Sequence, residues 1–198
     1  TDNIGTNTDN NLVFGDGWSY GAEFFIKKRS GRMNGWIGYT WSKTERIFED
    51  LNNGEIFPAK FDRRHDLSLV IDYTLNEKWR LGGVFVYATG NSISLPIQRY
   101  IVEGLITDLY GSRNGYRMAD YHRADISATF TPKKKAKNIN KKYEGSWVFS
   151  IYNLYNRANP YFLFFDTEGS IDDGTLQIQA KQISLFPILP SFTWNFKF

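Results

Sequence analysis

The chain has 198 residues, a formal net charge of +3 and no cysteine. That length suffices for one domain with a core, the small charge argues against a nucleic-acid partner, and the missing thiols exclude a disulfide framework or a thiolate zinc site. Aromatic residues make up 17% of the chain at a mean hydropathy of −0.44, and no run approaches the roughly 20 apolar residues of a membrane-spanning helix. A hydropathy profile would file this with soluble domains. A transmembrane β-barrel gives the same profile, because its strands alternate lipid-facing apolar residues with lumen-facing polar ones.

Thr1 opens the polar stretch TDNIGTNTDNN, which has no signal-peptide pattern and is expected of a mature chain or of a piece of a longer one. Period-two runs then dominate. Trp18 to Lys28 carries Trp18, Tyr20, Ala22, Phe24 and Ile26 on one face, and Ser19, Gly21, Glu23 and Lys27, joined by Phe25, on the other. After the turn Arg29–Arg32, Met33 to Ile47 sets Ile37, Tyr39 and Trp41 against Gly38, Thr40 and Ser42. A loop containing Asn52-Asn53-Gly54 and Pro58 leads to Arg64–Leu75, where Leu67, Leu69, Ile71 and Tyr73 oppose Asp66, Ser68, Val70, Asp72 and Thr74. The tight turn Asn76–Lys78 joins it to Trp79–Thr89, with Leu81, Gly83, Phe85 and Tyr87 on one face. A long loop, about Gly90 to Asp120, precedes His122–Thr131, in which Ala124, Ile126, Ala128 and Phe130 oppose Asp125, Ser127 and Thr129. The basic run Lys133–Lys142 turns the chain into Gly145–Asn156, and the C-terminal segment alternates Phe192, Trp194, Phe196 and Phe198 with Ser191, Thr193, Asn195 and Lys197.

Short connections alternate with long ones, the pattern of outer-membrane barrels with short periplasmic turns and long external loops. Trp36, Tyr73, Trp79, Phe130, Trp147 and Phe198 fall near the short-turn ends, as an interfacial aromatic girdle would. Phe186–Ser191 reads either as a turn or as a bulge in one long strand, Leu176–Phe198, whose partner is Gly145–Phe165. Barrels of this kind end on the periplasmic side, so the bulge is expected. It gives seven strands, a number that does not close alone and implies a larger barrel. The turn gives eight, a self-contained structural or adhesive barrel of the small outer-membrane type.

The stretches SYGAEFFIKKRSG, GWIGYTWSKTER, FPAKFDRRHDLSLVIDY, VYATGN, YRMADYHRADISATFTP, IYNLYNRANPYF and SLFPILPSFTWNFKF, taken in this order, resemble the C-terminal barrel of TonB-dependent outer-membrane receptors, over nearly the whole chain. The resemblance implies an antiparallel transmembrane barrel of about 22 strands, of which this chain supplies seven or eight. It implies a Gram-negative outer-membrane location and active uptake of a scarce ligand (iron chelate, cobalamin or glycan). The implied partners are outer-membrane lipid, an N-terminal plug domain outside this chain, the TonB complex acting through that plug, and the barrel-assembly machinery. That machinery would read Phe192, Trp194, Phe196 and Phe198 as its terminal signal. No cofactor is implied.

RHDLS at Arg64–Ser68 and RADIS at Arg123–Ser127 share Arg, any residue, Asp, aliphatic, Ser. Histidine beside aspartate suggests a hydrolase pair, but strand neighbours point to opposite faces. His65 and His122 then go outward with the aliphatic residues, and no catalytic residue is assigned. A charge on a lipid face costs about 2–4 kcal/mol for Arg or Lys at the bilayer centre. Glu23, Arg64, Asp66, Asp72, Arg123 and Asp125 are therefore expected to line the lumen, in wall ion pairs or against a plug or ligand. In the long loop, Arg99, Tyr100, Tyr110, Arg113, Tyr116 and Arg117 are the external ligand candidates. Asp166, Glu168, Asp172 and Asp173 match no EF-hand spacing, so no metal site is expected.

Overall fold

The computed structural model describes residues 12–102, 105–132, 144–169, 175 and 177–197. It is all-β and antiparallel, with strands β1 (Gly15–Lys28), β2 (Met33–Phe48), β3 (Phe57–Pro58), β4 (His65–Thr74), β5 (Trp79–Ala88), β6 (Ser92–Ile93), β7 (Pro96–Val102), β8 (Leu105–Tyr110), β9 (Tyr116–Arg117), β10 (Tyr121–Phe130), β11 (Glu144–Tyr152), β12 (Pro160–Glu168), β13 (Gln177–Ser184) and β14 (Leu189–Lys197). Thr1–Asn11, Lys133–Lys142, Asp172, Asp173 and Phe198 lie outside the described residues. The main sheet runs β1-β2-β4-β5-β10-β11-β14. Among the described residues it is open, with β1 and β14 at its edges. Five of these are long strands of the period-two reading as expected, and β11 and β14 are parts of its last two.

The chain forms two compact units, Thr1–Ala22 with Trp41–Arg64 and Gly90–Met118, and Glu23–Thr40 with His65–Thr89 and Ala119–Phe198. In the second, the β4–β5 turn is an Asx turn: Asn76 Oδ1 accepts the N–H groups of Lys78 (2.9 Å) and Trp79 (3.0 Å). The β1–β2 turn places Gly31 at φ +92°, a conformation open to glycine. Opposed residues in an antiparallel ladder share a face, so register sorts the side chains. Asp66 opposes Ala88 and Ala88 opposes Tyr121. The next rows on that face are Ser68/Val86/Arg123, Val70/Val84/Asp125, Asp72/Gly82/Ser127/Ser150/Ser191 and Thr74/Arg80/Thr129/Val148/Thr193. The other face reads Leu67/Tyr87/His122, Leu69/Phe85/Ala124, Ile71/Gly83/Ile126/Ile151/Pro190, Tyr73/Leu81/Ala128/Phe149/Phe192 and Trp79/Phe130/Trp147/Trp194.

One face is thus polar and the other apolar across five strands. The apolar face is not buried: Ile126, Phe149, Phe192 and Trp194 are each 43–58% exposed. One of its ends is an aromatic row, with ring centroids 4.9 Å apart for Trp79–Phe130, 4.9 Å for Trp147–Phe192 and 5.6 Å for Trp147–Trp194. Its other end carries hydroxyl-tipped or imidazole rings, Tyr39 on His65 and His122 on Tyr155. Trp36 departs from the expected girdle. It leans on Phe25 (5.8 Å) over the space that Gly38 leaves, on the polar face, because it lies an odd number of residues from Tyr39.

The expected single strand from Leu176 to Phe198 is in fact two. β14 pairs with β11 and β13 with β12, in a separate two-stranded sheet. Residues 185–188 belong to neither, so Phe186–Ser191 is not a hairpin turn but a break, matched by another at 153–159. Three non-glycine residues take positive φ at these breaks, Asn153 (+52°), Asn156 (+52°) and Phe186 (+53°), and a ladder cannot continue through that geometry. Pro187 in addition has no N–H to give.

In the first unit, the long loops contain small pairings that alternation did not forecast: β3 on β2, β6 with β9, and β7 with β8. Among the described residues, the buried ones of this unit lie in these loops: Phe57, Ala59, Asp62, Gly90, Ser92 and Met118.

Candidate functional site

The two charged repeats begin alike and end differently. Arg123 and Asp125, two apart on β10, point to one face and pair (Nη2 to Oδ2, 3.0 Å). Arg123 lies over the Tyr152 ring at 4.0 Å and donates from Nη1 to the hydroxyls of Tyr121 (2.9 Å) and Tyr152. The free lone pairs of Asp125 Oδ1 accept the N–H of Asn153 at 2.8 Å. This arginine is caged on the polar face, its charge and planar fork both engaged. Asp72 meets Arg80 at 3.5 Å near the other end of the face, where both are largely solvated. Between them lies a shallow groove of about 390 Å³ lined by Asp72, Gly82, Asp125, Ser127 and Ser150 among others.

Arg64 belongs to a different cluster. It reaches Asp62 at 3.4 Å, while Arg117 holds the same carboxylate oxygen at 2.6 Å. Arg117 also donates to the carbonyls of Asp62 and Gly90. Asp62 is fully enclosed, and its Oδ1 takes the Thr44 N–H at 2.7 Å. Burial pushes its carboxyl upward, but the Thr44 hydrogen bond and the two guanidinium groups outweigh that and hold it below the usual aspartate value. Around this pair the loops tie together. Asn114 Nδ2 donates to the Pro58 carbonyl (2.9 Å), and Asn52 Oδ1 accepts the Arg113 N–H (2.7 Å).

Of the other expected lumen residues, Glu23 is exposed in the second unit and Asp66 opens the polar face of β4. Of the loop candidates, Tyr100, Tyr110 and Tyr116 are exposed, whereas Arg117 is committed to Asp62. The backbone of Arg99 pairs within the β7–β8 hairpin, and its side chain lies outside the described residues. Phe192, Trp194 and Phe196 line the apolar side of β14. His65 and His122 each pair Nδ1 with a tyrosine hydroxyl, Tyr39 at 2.7 Å and Tyr155 at 2.8 Å. Among the described residues no group of three or more His, Cys, Asp or Glu is placed to hold a metal ion.

Sequence reasoning passed over Asp62, Tyr152 and Asn153. Asp62 was visible as an acid beside two arginines in FDRRHD, but its main partner lies 55 residues away. No family model, curated protein or solved structure matches the chain.

Proposed function

We propose that this chain is a stretch of wall and external loops from the C-terminal barrel of a TonB-dependent receptor, which takes up a scarce ligand across the outer membrane of a Gram-negative bacterium. One observation carries the reading: a sheet with a polar face, an exposed apolar face, and an aromatic belt at each end of the latter. From the His122 row to the Phe130 row is eight residues, about 27 Å along a strand. At the roughly 40° tilt of a membrane barrel that is about 20 Å of height, near the ~25 Å apolar band of such proteins. A soluble domain leaves no such face to water. Among the described residues nothing pairs with the outer edges of β1 and β14, which favours a larger barrel over a self-contained one, since a long open edge invites pairing. The residue motifs given above supply the receptor class.

In this reading the polar face turns to the lumen, with Arg123–Asp125 and Asp72–Arg80 as wall ion pairs, and the Asp62 cluster stiffens the external loops. The test is uptake. Deleting the gene in its source bacterium is expected to abolish use of one scarce iron chelate, cobalamin or glycan, and deleting TonB is expected to do the same. Uptake that survives loss of TonB would sink the receptor assignment. Arg64→Ala with Arg123→Ala in the full-length protein separates ligand contact from wall structure: reduced binding with normal membrane insertion points to contact, and unchanged binding points to structure.

A further inference from the structure

Arg157 stands just after β11, at the histidine–tyrosine end of the apolar face. Its Nε donates to Asn159 Oδ1 (3.2 Å) and its Nη2 to the Asp120 carbonyl (3.1 Å), both neutral acceptors. Among the described residues its guanidinium forms no ion pair. The Asp120 carboxylate accepts the Tyr87 hydroxyl instead, at 2.6 Å. Next to Arg157, His122 is held rigidly: Asn159, itself 6% exposed, takes its N–H (3.0 Å) and donates to its carbonyl (2.9 Å). The imidazole has Nδ1 on the Tyr155 hydroxyl, which leaves Nε2, and Tyr155 is 43% exposed. With Nδ1 accepting the Tyr155 hydroxyl, Nε2 carries the ring proton, so one unused ring N–H lies near a guanidinium that forms no ion pair among the described residues.

An unpaired guanidinium next to a low-dielectric slab is costly unless an anion comes to it. Its planar fork suits the oxygens of a phosphate. We propose that Arg157, with His122 Nε2 and Tyr155 beside it, is a phosphate site at the rim of the wall. It takes the headgroup of a lipid whose acyl chains lie along Leu67, Leu69, Phe85 and Ala124. The proposal rests on the membrane reading of the apolar face. The adjoining rows favour a lipid phosphate over a free one, since they offer hydrocarbon contact that inorganic phosphate cannot use.

The full-length protein is refolded into phosphatidylcholine bilayers, extracted in mild detergent and tested by native mass spectrometry for retention of phosphatidic acid against phosphatidylcholine. The wild type is expected to prefer phosphatidic acid. Arg157→Gln is expected to cut that preference about tenfold or more, the size of one charge-assisted hydrogen-bonded contact, and Arg157→Lys to keep part of it. His122→Phe leaves the Arg157 contacts in place and is expected to lower retention about threefold, so it carries the test if Arg157→Gln does not fold. Equal retention in these folded variants overturns the site. Displacement by inorganic phosphate at matched concentration overturns the lipid assignment. Failure of the wild type to enter bilayers overturns the wall reading itself, a different outcome from insertion without phosphate preference.

Discussion

Asp62 shows what single residues do in this chain. One enclosed carboxylate serves two guanidinium groups and a backbone N–H, from three separate stretches of the first unit. Removing one partner of a buried ion pair costs about 3–5 kcal/mol, because the remaining charge is stranded. Asp62→Asn is therefore expected to speed hydrogen exchange at the Thr44 amide by about two to three and a half orders of magnitude. The pH dependence has a definite sign. The carboxyl lies below its unfolded value of 3.8 in the fold, so its stabilisation is complete above that value and is lost as pH falls through the lowered one. The wild-type loops should loosen with acid in that window, and the Asn variant should show no such limb. An acid limb that persists in the variant would place the titrating group elsewhere. Asp62 is not legible in the sequence because its main partner, Arg117, lies 55 residues away, and nothing local to FDRRHD points there. The rule that strand neighbours diverge did separate His65 from Asp66, since it depends on the backbone alone.

At the scale of elements, alternation located β1, β2, β4, β5 and β10 to within three residues, and the turns Arg29–Arg32 and Asn76–Lys78 with them. Period two survives because it is enforced by two different environments on the two faces. It fails where the chain pairs only briefly, which is why β3, β6 and β9 read as loop. It also failed at the β14 end of the main sheet. Residues 145–165 and 176–198 look continuous in hydropathy, but a side chain interrupts them. Asn153, 1% exposed, donates from Nδ2 to the carbonyls of Arg157 (3.0 Å) and Phe186 (3.1 Å) and accepts the Arg157 N–H on Oδ1 (3.0 Å). It ties the two breaks together. Asn153→Ala takes the side-chain partner from the Phe186 carbonyl and the Arg157 N–H, whereas the Arg157 carbonyl keeps the Asn159 N–H (3.0 Å), and it is expected to cost about 1–3 kcal/mol. Exchange should rise at 153–159 and 185–188 but not along β5–β10. Asn153→Gly restores the positive φ without the amide and should be nearly as damaging. A silent Gly variant would mean that backbone conformation, not the clamp, makes the break.

For the whole molecule, the decisive question is what covers the apolar face of the second unit. Ile126 and Ser127 are adjacent on β10 and face opposite ways, Ile126 between Gly83 and Ile151, Ser127 between Gly82 and Ser150. If hydrocarbon covers the first, Ile126→Arg should lower the unfolding free energy in lipid vesicles by about 2–4 kcal/mol, and Ser127→Arg should be tolerated on a water-filled side. Destabilisation by Ile126→Arg does not suffice alone, because a protein core would reject arginine too. The chain has no cysteine, so a fluorophore can be attached at single introduced thiols without background. A label at Ile126→Cys is expected to be quenched by brominated acyl chains and shielded from aqueous iodide, and a label at Ser127→Cys to behave oppositely. Extending the series from His122 to Phe130 should give quenching of period two along the strand, strongest near the centre and fading towards both belts, since depth as well as face sets contact with the bromines. A label at Ile126→Cys shielded from both quenchers would mean that protein, not lipid, covers this face, and the wall reading would give way to a packed sandwich.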